Sequence, residues 1–393
     1  MSGGRWVGVG APVWAALRAA YEVAVRRQGT LVGTIDVLAH AAMRSAPPVF
    51  IPAPVRDGLR EIATGGNAPL RYSPGETDPA SMASLEAEVD AVLREVEWRV
   101  RRLTGPLLVV RAGDVERWDQ RPRWTPAARA MVGGTLAEAR ARGVAFAGTS
   151  HLFLAMLRLR DCAGARFLAP NDAGHAAALA SVGRDRGIDR AATPYPEPDN
   201  VAMEMSRGKF RIGARLARFV ARAARLDPYL ADSTSDIKAQ AVRVEHPVAG
   251  AGHALLALLR VEACVTATQV RLSAESWARN QGAVLLRGAG LHPDRLAAAL
   301  SAAPDPSPEV LADQAQRLRL GDPFLADELT LAERQAGDIS LGHHHSQTGT
   351  THYLLALLDA PTTAPLLAAC NVDAADLRAR ATESLSAIPS AWS

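Results

Sequence analysis

Apolar residues recur at helical spacing through much of the chain, and at four places that pattern gives way to a nearly continuous apolar run. Each run opens on a small-residue turn: GTIDVLAHAAM from Gly33, GTSHLFLAMLR from Gly148, GAGHALLALLR from Gly250 and GTTHYLLALLD from Gly349. The fourth residue of each is Asp36, His151, His253 and His352, at successive spacings of 115, 102 and 99 residues. One such segment would be a weak signal; four at near-even spacing predict an internal repeat. A helix apolar on most faces belongs inside a helical bundle. The glycines read as residues that close the preceding turn. Thr34, Thr149 and Thr350 read as N-caps, worth about 1 kcal/mol each.

Upstream of each run the spacing predicts an amphipathic helix, over about 12–27, 126–142 and 214–231, and over 308–316 with a further helix near 327–335. The second is opened by Thr125-Pro126, a cap followed by proline at the first helical position. A further helix is predicted over 84–103, its Arg99, Arg101 and Arg102 lying on a solvated face beside Glu95 and Glu97, after a loop over 69–83. Pro-rich stretches punctuate the chain, and TPYPEPDN (193–200) is the natural boundary. The expected organisation is all-α: a double repeat over 1–192 with copies around 10–44 and 123–170, a linker over 193–207, and a more diverged double repeat over 208–393 with copies around 214–265 and 308–372.

Composition supports helix, since Ala, Leu and Arg dominate. A net charge of +3 with mixed signs, and no Lys/Arg tract to track phosphates, gives no reason to expect nucleic acid. No apolar stretch is long enough for a membrane span. Three widely separated cysteines, Cys162, Cys264 and Cys370, argue for a reducing, cytoplasmic setting. Cys162 and Cys264 each follow the repeat histidine by eleven residues, as small residues of an inter-helix turn.

The second copy, WTPAARAMVGGTLAEARARGVAFAGTSHLFLAMLRLRDCAGARFLA (124–169), resembles the amino-terminal repeat of the Clp (Hsp100) unfoldases, which carries F-T-x-R-A and then G-T-E-H-L-L-L-A-L-L. Trp124 stands for Phe and Ala127 for Arg. The likeness is good over 123–170, fair over 347–372, and partial over 10–44 and 214–265. It implies two compact N-domains of two copies each, in a protein without the family's AAA+ motor. No G-x-x-x-x-G-K-[ST] loop surrounds Lys209 or Lys238, the chain's two lysines.

The resemblance also implies sites. The family binds phosphorylated arginine through the Glu of its motif, whose four places hold Ile35, Ser150, Gly252 and Thr351 here, while Gly10 stands opposite Thr125. The family's apolar groove for peptides and cyclic peptide antibiotics would fall on Trp6, Val9, Trp124 and Thr125. His151, His253 and His352 are expected to bond their own turns, and His343, His344 and His345 to form an exposed loop. No catalytic residue, cofactor or metal is expected. The function expected is non-enzymatic recognition of peptides, degradation tags or peptide-like antibiotics, as adaptor, competitor or decoy for a Clp unfoldase. The alternatives are a structural protein-docking module, or an enzyme using 45–120 or 265–300.

Overall fold

The computed structural model describes residues 7–27, 29–44, 51–64, 85–108, 122–194, 225–268, 272–303 and 323–388. They form an all-α repeat architecture of 17 helices and six two-residue strands. The chain divides into two compact units, Met1–Pro196 and Glu197–Ser393. Trp6, the expected loop over 69–83 and the stretches 214–224 and 308–316 lie outside the described residues.

Unit 1 contains two helix hairpins. The first is α1 (Ala11–Arg26) and α2 (Thr34–Arg44); the second is α5 (Pro126–Ala141) and α6 (Thr149–Arg158). Between them come α3 (Ala53–Thr64) and α4 (Glu86–Leu108), and after them α7 (Ala163–Leu168) and α8 (Asp172–Gly183). Trp14, Leu17, Tyr21, Leu38, Met131, Leu136, Phe153 and Leu157 are among the residues of one apolar core. Helix α4 packs on α1 and α5. Arg140 grips Glu88 at 2.7 Å and Arg129 grips Asp90 at 2.5 Å, tying α4 to α5.

Unit 2 repeats the hairpins with α9 (Pro228–Arg243) and α10 (Ala251–Thr268), then α14 (Asp327–Gly342) and α15 (Thr350–Leu357). Helices α11 (Ala274–Arg279), α12 (Gly282–Gly288) and α13 (Pro293–Ser301) lie between them in sequence, and α16 (Thr363–Ala369) and α17 (Ala374–Ser386) follow. Leu255, Leu258, Leu286, Leu296, Tyr353, Leu357 and Leu377 are part of its core.

The hairpins interlock pairwise through short parallel pairings. In unit 1, β1 (Gly8–Val9) pairs with β4 (Phe146–Ala147), and β2 (Leu31–Val32) pairs with β3 (Arg123–Trp124). In unit 2, β5 (Val248–Ala249) pairs with β6 (Phe324–Leu325), and a bridge joins Leu226 to Thr348. The register is the same four times. The residue before one hairpin's first cap sits opposite the residue before the partner hairpin's motif glycine: Val9 on Ala147, Trp124 on Val32, Leu226 on Thr348 and Leu325 on Ala249. The next amide seals each pairing. Gly10, Thr125, Asp227 and Ala326 donate to the carbonyls of Ala147, Val32, Thr348 and Ala249 at 2.9–3.0 Å. Each hairpin thus supplies a strand that its partner needs.

One expected helix is displaced. The first helix of the third copy starts at Pro228, not near 214, because Asp227 caps it, its Oδ1 accepting from the Tyr229 amide at 3.0 Å. Pro228 inside a helix over 214–231 would have lost an interior hydrogen bond; at the first helical position it loses none. In the fourth copy the helix expected near 327–335 starts at Asp327 and runs on to Gly342. The expected solvated face of α4 is also revised. Glu95 is fully buried and bonded to Arg99 at 3.1 Å, and the Arg99 and Arg102 guanidinium groups lie over the Trp98 ring.

Candidate functional site

The four motif starts share one bond. The backbone N–H of Gly33 donates to Asp36 Oδ2 at 2.8 Å, and those of Gly148, Gly250 and Gly349 donate to the Nδ1 of His151, His253 and His352 at 3.0, 2.9 and 3.0 Å. A side chain three residues into the helix reaches back to the turn, as the acidic member of a capping box does. An imidazole can do this only while Nδ1 is unprotonated. Burial pushes His253 and His352 down to about 3, and lowers His151, where the neighbouring Arg142 charge adds to the effect.

The threonines were expected as caps. Thr34, Thr149 and Thr350 are instead the first residues of their helices, and Gly148 and Gly349 are the caps that precede the latter two. The freed hydroxyls tie hairpin to neighbour: Thr34 Oγ1 accepts from the Gly164 amide at 3.0 Å, and Thr350 Oγ1 from the Gly282 amide at 3.2 Å. Nor is glycine needed for its backbone freedom, since Gly148 and Gly349 have ordinary extended φ of −100° and −108°. At Gly349 the reason is space: a Cβ would stand 2.5 Å from the Arg279 carbonyl oxygen.

Each first helix ends in a turn that presents another residue to the motif. Gly143, Glu245 and His344 take left-handed φ of 66°, 65° and 56°, and the amide two residues beyond each helix's closing cap donates back to the helix: Val144 to Ala139, His246 to Ala241, His345 to Ser340, all at 2.9 Å. Gly29 makes the same bond to Ala24. Seven residues separate this position from the motif's acidic or imidazole residue, so the pairs are Gly29 with Asp36, Val144 with His151, His246 with His253 and His345 with His352. In unit 2 both pairs are bonded rings: His253 Nε2 to His246 Nδ1 at 3.1 Å, and His352 Nε2 to His345 Nδ1 at 2.8 Å. His345 is therefore buried structure, a correction to the exposed loop, whereas His344 is exposed. No group of three or more metal-ligating side chains occurs among the described residues.

Beside the second pair lies a buried ion pair, Arg279 with Asp227 at 3.4 Å. Arg279 also bonds Glu275 and, at 3.2 Å, Gln347 Oε1. The Asn280 side chain accepts from the Thr350 amide at 2.8 Å. These bonds clamp the α11–α12 junction to the fourth motif.

The residues expected to line a groove are used internally. Trp124 is only 8% exposed, stacks on Tyr21 at 5.6 Å and donates Nε1–H to Glu97 at 3.0 Å. Thr125 is buried and caps α5, accepting from the Ala128 amide at 3.2 Å. Val9 is buried in the other strand pair of unit 1. Val9, Trp124 and Thr125 thus present no common open surface. The four places of the family's acidic residue are also committed. Ile35 is buried, Ser150 bonds Asp185, a Cβ at Gly252 would stand 2.5 Å from a Leu366 methyl, and Thr351 Oγ1 accepts from the Gln281 amide at 2.9 Å. Cys162 caps α7, but Cys264 lies within α10, not in a turn; all three cysteines are buried and none forms a disulfide.

These features define a helical-repeat scaffold. The family model of the Clp repeat (R) N-terminal domain matches residues 326–392. The fourth hairpin, with the helices that follow it, is therefore similar to a Clp-type N-terminal repeat. The match lies on the copy with the fair likeness rather than on 123–170. No curated protein and no solved structure matches the chain. No helix among the described residues is long and apolar enough to cross a membrane.

Proposed function

We propose that this chain is a non-enzymatic docking protein that takes polypeptide ligands (peptides, degradation tags or peptide-like antibiotics) and serves a Clp unfoldase in the cytoplasm as adaptor, competitor or decoy. The observation that carries this reading is the Clp repeat match over 326–392, on a hairpin frame that recurs four times. Unit 2 exposes apolar side chains that such a contact would use. Leu325 in β6 and Leu331 in α14 are 48% and 56% exposed, and open apolar side chains on a rigid helical frame suit protein docking.

Calorimetric titration of the full chain with a Clp-directed cyclic peptide and with an unstructured peptide tests the reading. Binding is expected, weakened at least tenfold by Leu325→Asp with Leu331→Asp and retained in Thr149→Ser. Failure of both ligands to bind, together with no effect of the chain on degradation by a Clp unfoldase–peptidase, would overturn it. ATP hydrolysis by the pure chain would overturn its non-enzymatic part.

A further inference from the structure

The two ring pairs of unit 2 are continuous hydrogen-bond relays whose direction is set at one end. In the fourth hairpin the Gly349 amide donates to His352 Nδ1, so the proton of His352 sits on Nε2 and points at His345 Nδ1. His345 must then carry its own proton on Nε2, which is buried and has no hydrogen-bond partner. In the third hairpin the Gly250 amide, His253 and His246 repeat the arrangement. A relay of this kind has no room for another proton. A proton added to Nδ1 of His246 or His345 faces the donor of its partner ring, and the partner can yield only by turning a donor on the glycine amide. One added proton therefore costs the relay either the ring–ring bond or the bond that starts the helix.

The surroundings do little to welcome that proton. His352 and His345 face Arg279, with Glu275 beyond it on α11, and His343 from the turn. His253 faces His246, and Glu328 at the same helix start is occupied by the Ala251 amide at 2.7 Å and the Thr362 hydroxyl at 2.9–3.0 Å. Unit 1 has neither relay, since the residues seven places before Asp36 and His151 are Gly29 and Val144, which carry no ring.

We propose that unit 2 is a proton-operated module, in which mild acid releases the starts of α10 and α15 together and loosens unit 2 more than unit 1, where the α6 start alone rests on an imidazole. The low affinities of His253 and His352 for protons, near 3 in the fold against an ordinary 6.5, agree with this geometry. They set the expected size at roughly 30-fold per relay at pH 5.

Hydrogen–deuterium exchange of the full chain between pH 7.5 and 4.5, corrected for intrinsic exchange rates, tests it. Protection of the first turns of α10 and α15 is expected to fall at least about 30-fold more than that of α2, which starts on a carboxylate, with a pH slope approaching two protons. Parallel loss in both units overturns the proposal. In His253→Asn with His352→Asn, an amide oxygen can accept the glycine N–H without titrating, and the excess loss should disappear; its persistence overturns the proposal. Should that variant lack protection at pH 7.5, the wild-type slope decides: below one proton, the proposal fails.

Discussion

In unit 1 the place before the second hairpin's cap holds Trp124, sealed by Tyr21 and bonded to Glu97 of α4. In unit 2 the same place in the register holds Leu325, half open to solvent. A second contrast runs through the helix starts, where unit 1 uses a carboxylate and one imidazole and unit 2 uses two bonded histidine pairs. The frame tolerates these exchanges because backbone pairing and backbone caps hold it. Any side chain that offers an acceptor at the fourth motif position, and any that fills the turn seven residues earlier, will serve. Chemistry at those places is therefore free to differ between the units.

The largest expected effect breaks the first contrast. Trp124→Ala should cost unit 1 about 3–5 kcal/mol, by lost burial and the lost bond to Glu97, while Leu325→Ala should change unit 2 by no more than about 0.5 kcal/mol. Urea unfolding followed by exchange at helix amides of each unit separates the two, and equal effects would mean that the two places are not alternative versions of one position.

Acid comes next and breaks the second contrast. The folded affinities of His253 and His352 lie below the unfolded value, so their contribution is complete above pH 6.5 and is lost as pH falls towards 3. At pH 5 each should cost unit 2 roughly 2 kcal/mol. Urea midpoints of the unit 2 transition at pH 7.5 and 5 measure that loss, and an unchanged midpoint contradicts it.

A smaller effect sharpens the comparison of caps. Thr125 bonds the Ala128 amide, whereas Ala326, with nearly the same backbone angles, has no side chain to offer. Ala326→Thr should add about 1 kcal/mol to unit 2, and Thr125→Ala should remove a similar amount from unit 1. Thermal midpoints of the two variants check both signs.

Much of this frame is legible in the residues. The recurrent Gly-x-x-His and Gly-x-x-Asp starts mark α2, α6, α10 and α15, because a continuous apolar run after a small turn can only be a buried helix. The first helices of copies one and two follow from their Pro12 and Pro126 openings. The third was displaced in the sequence reading because apolar spacing over 214–231 outweighed the Asp227-Pro228 start signal, which the rule for capped helices would have found. The histidine pairs carried a signal too, a seven-residue spacing between His246 and His253 and between His345 and His352. Only the turn that follows each first helix gives that spacing its meaning.

By itself the sequence determined the all-α class, the fourfold repeat and the places where four buried helices begin, since helical periodicity and turn chemistry are local properties of the chain. Only the tertiary structure decided that each hairpin lends a strand to its partner, that Trp124 is sealed while Leu325 is open, and that two pairs of rings meet in unit 2. Those facts depend on which surfaces come together across roughly a hundred residues of chain, and burial, not residue type, then sets what a tryptophan or a histidine does.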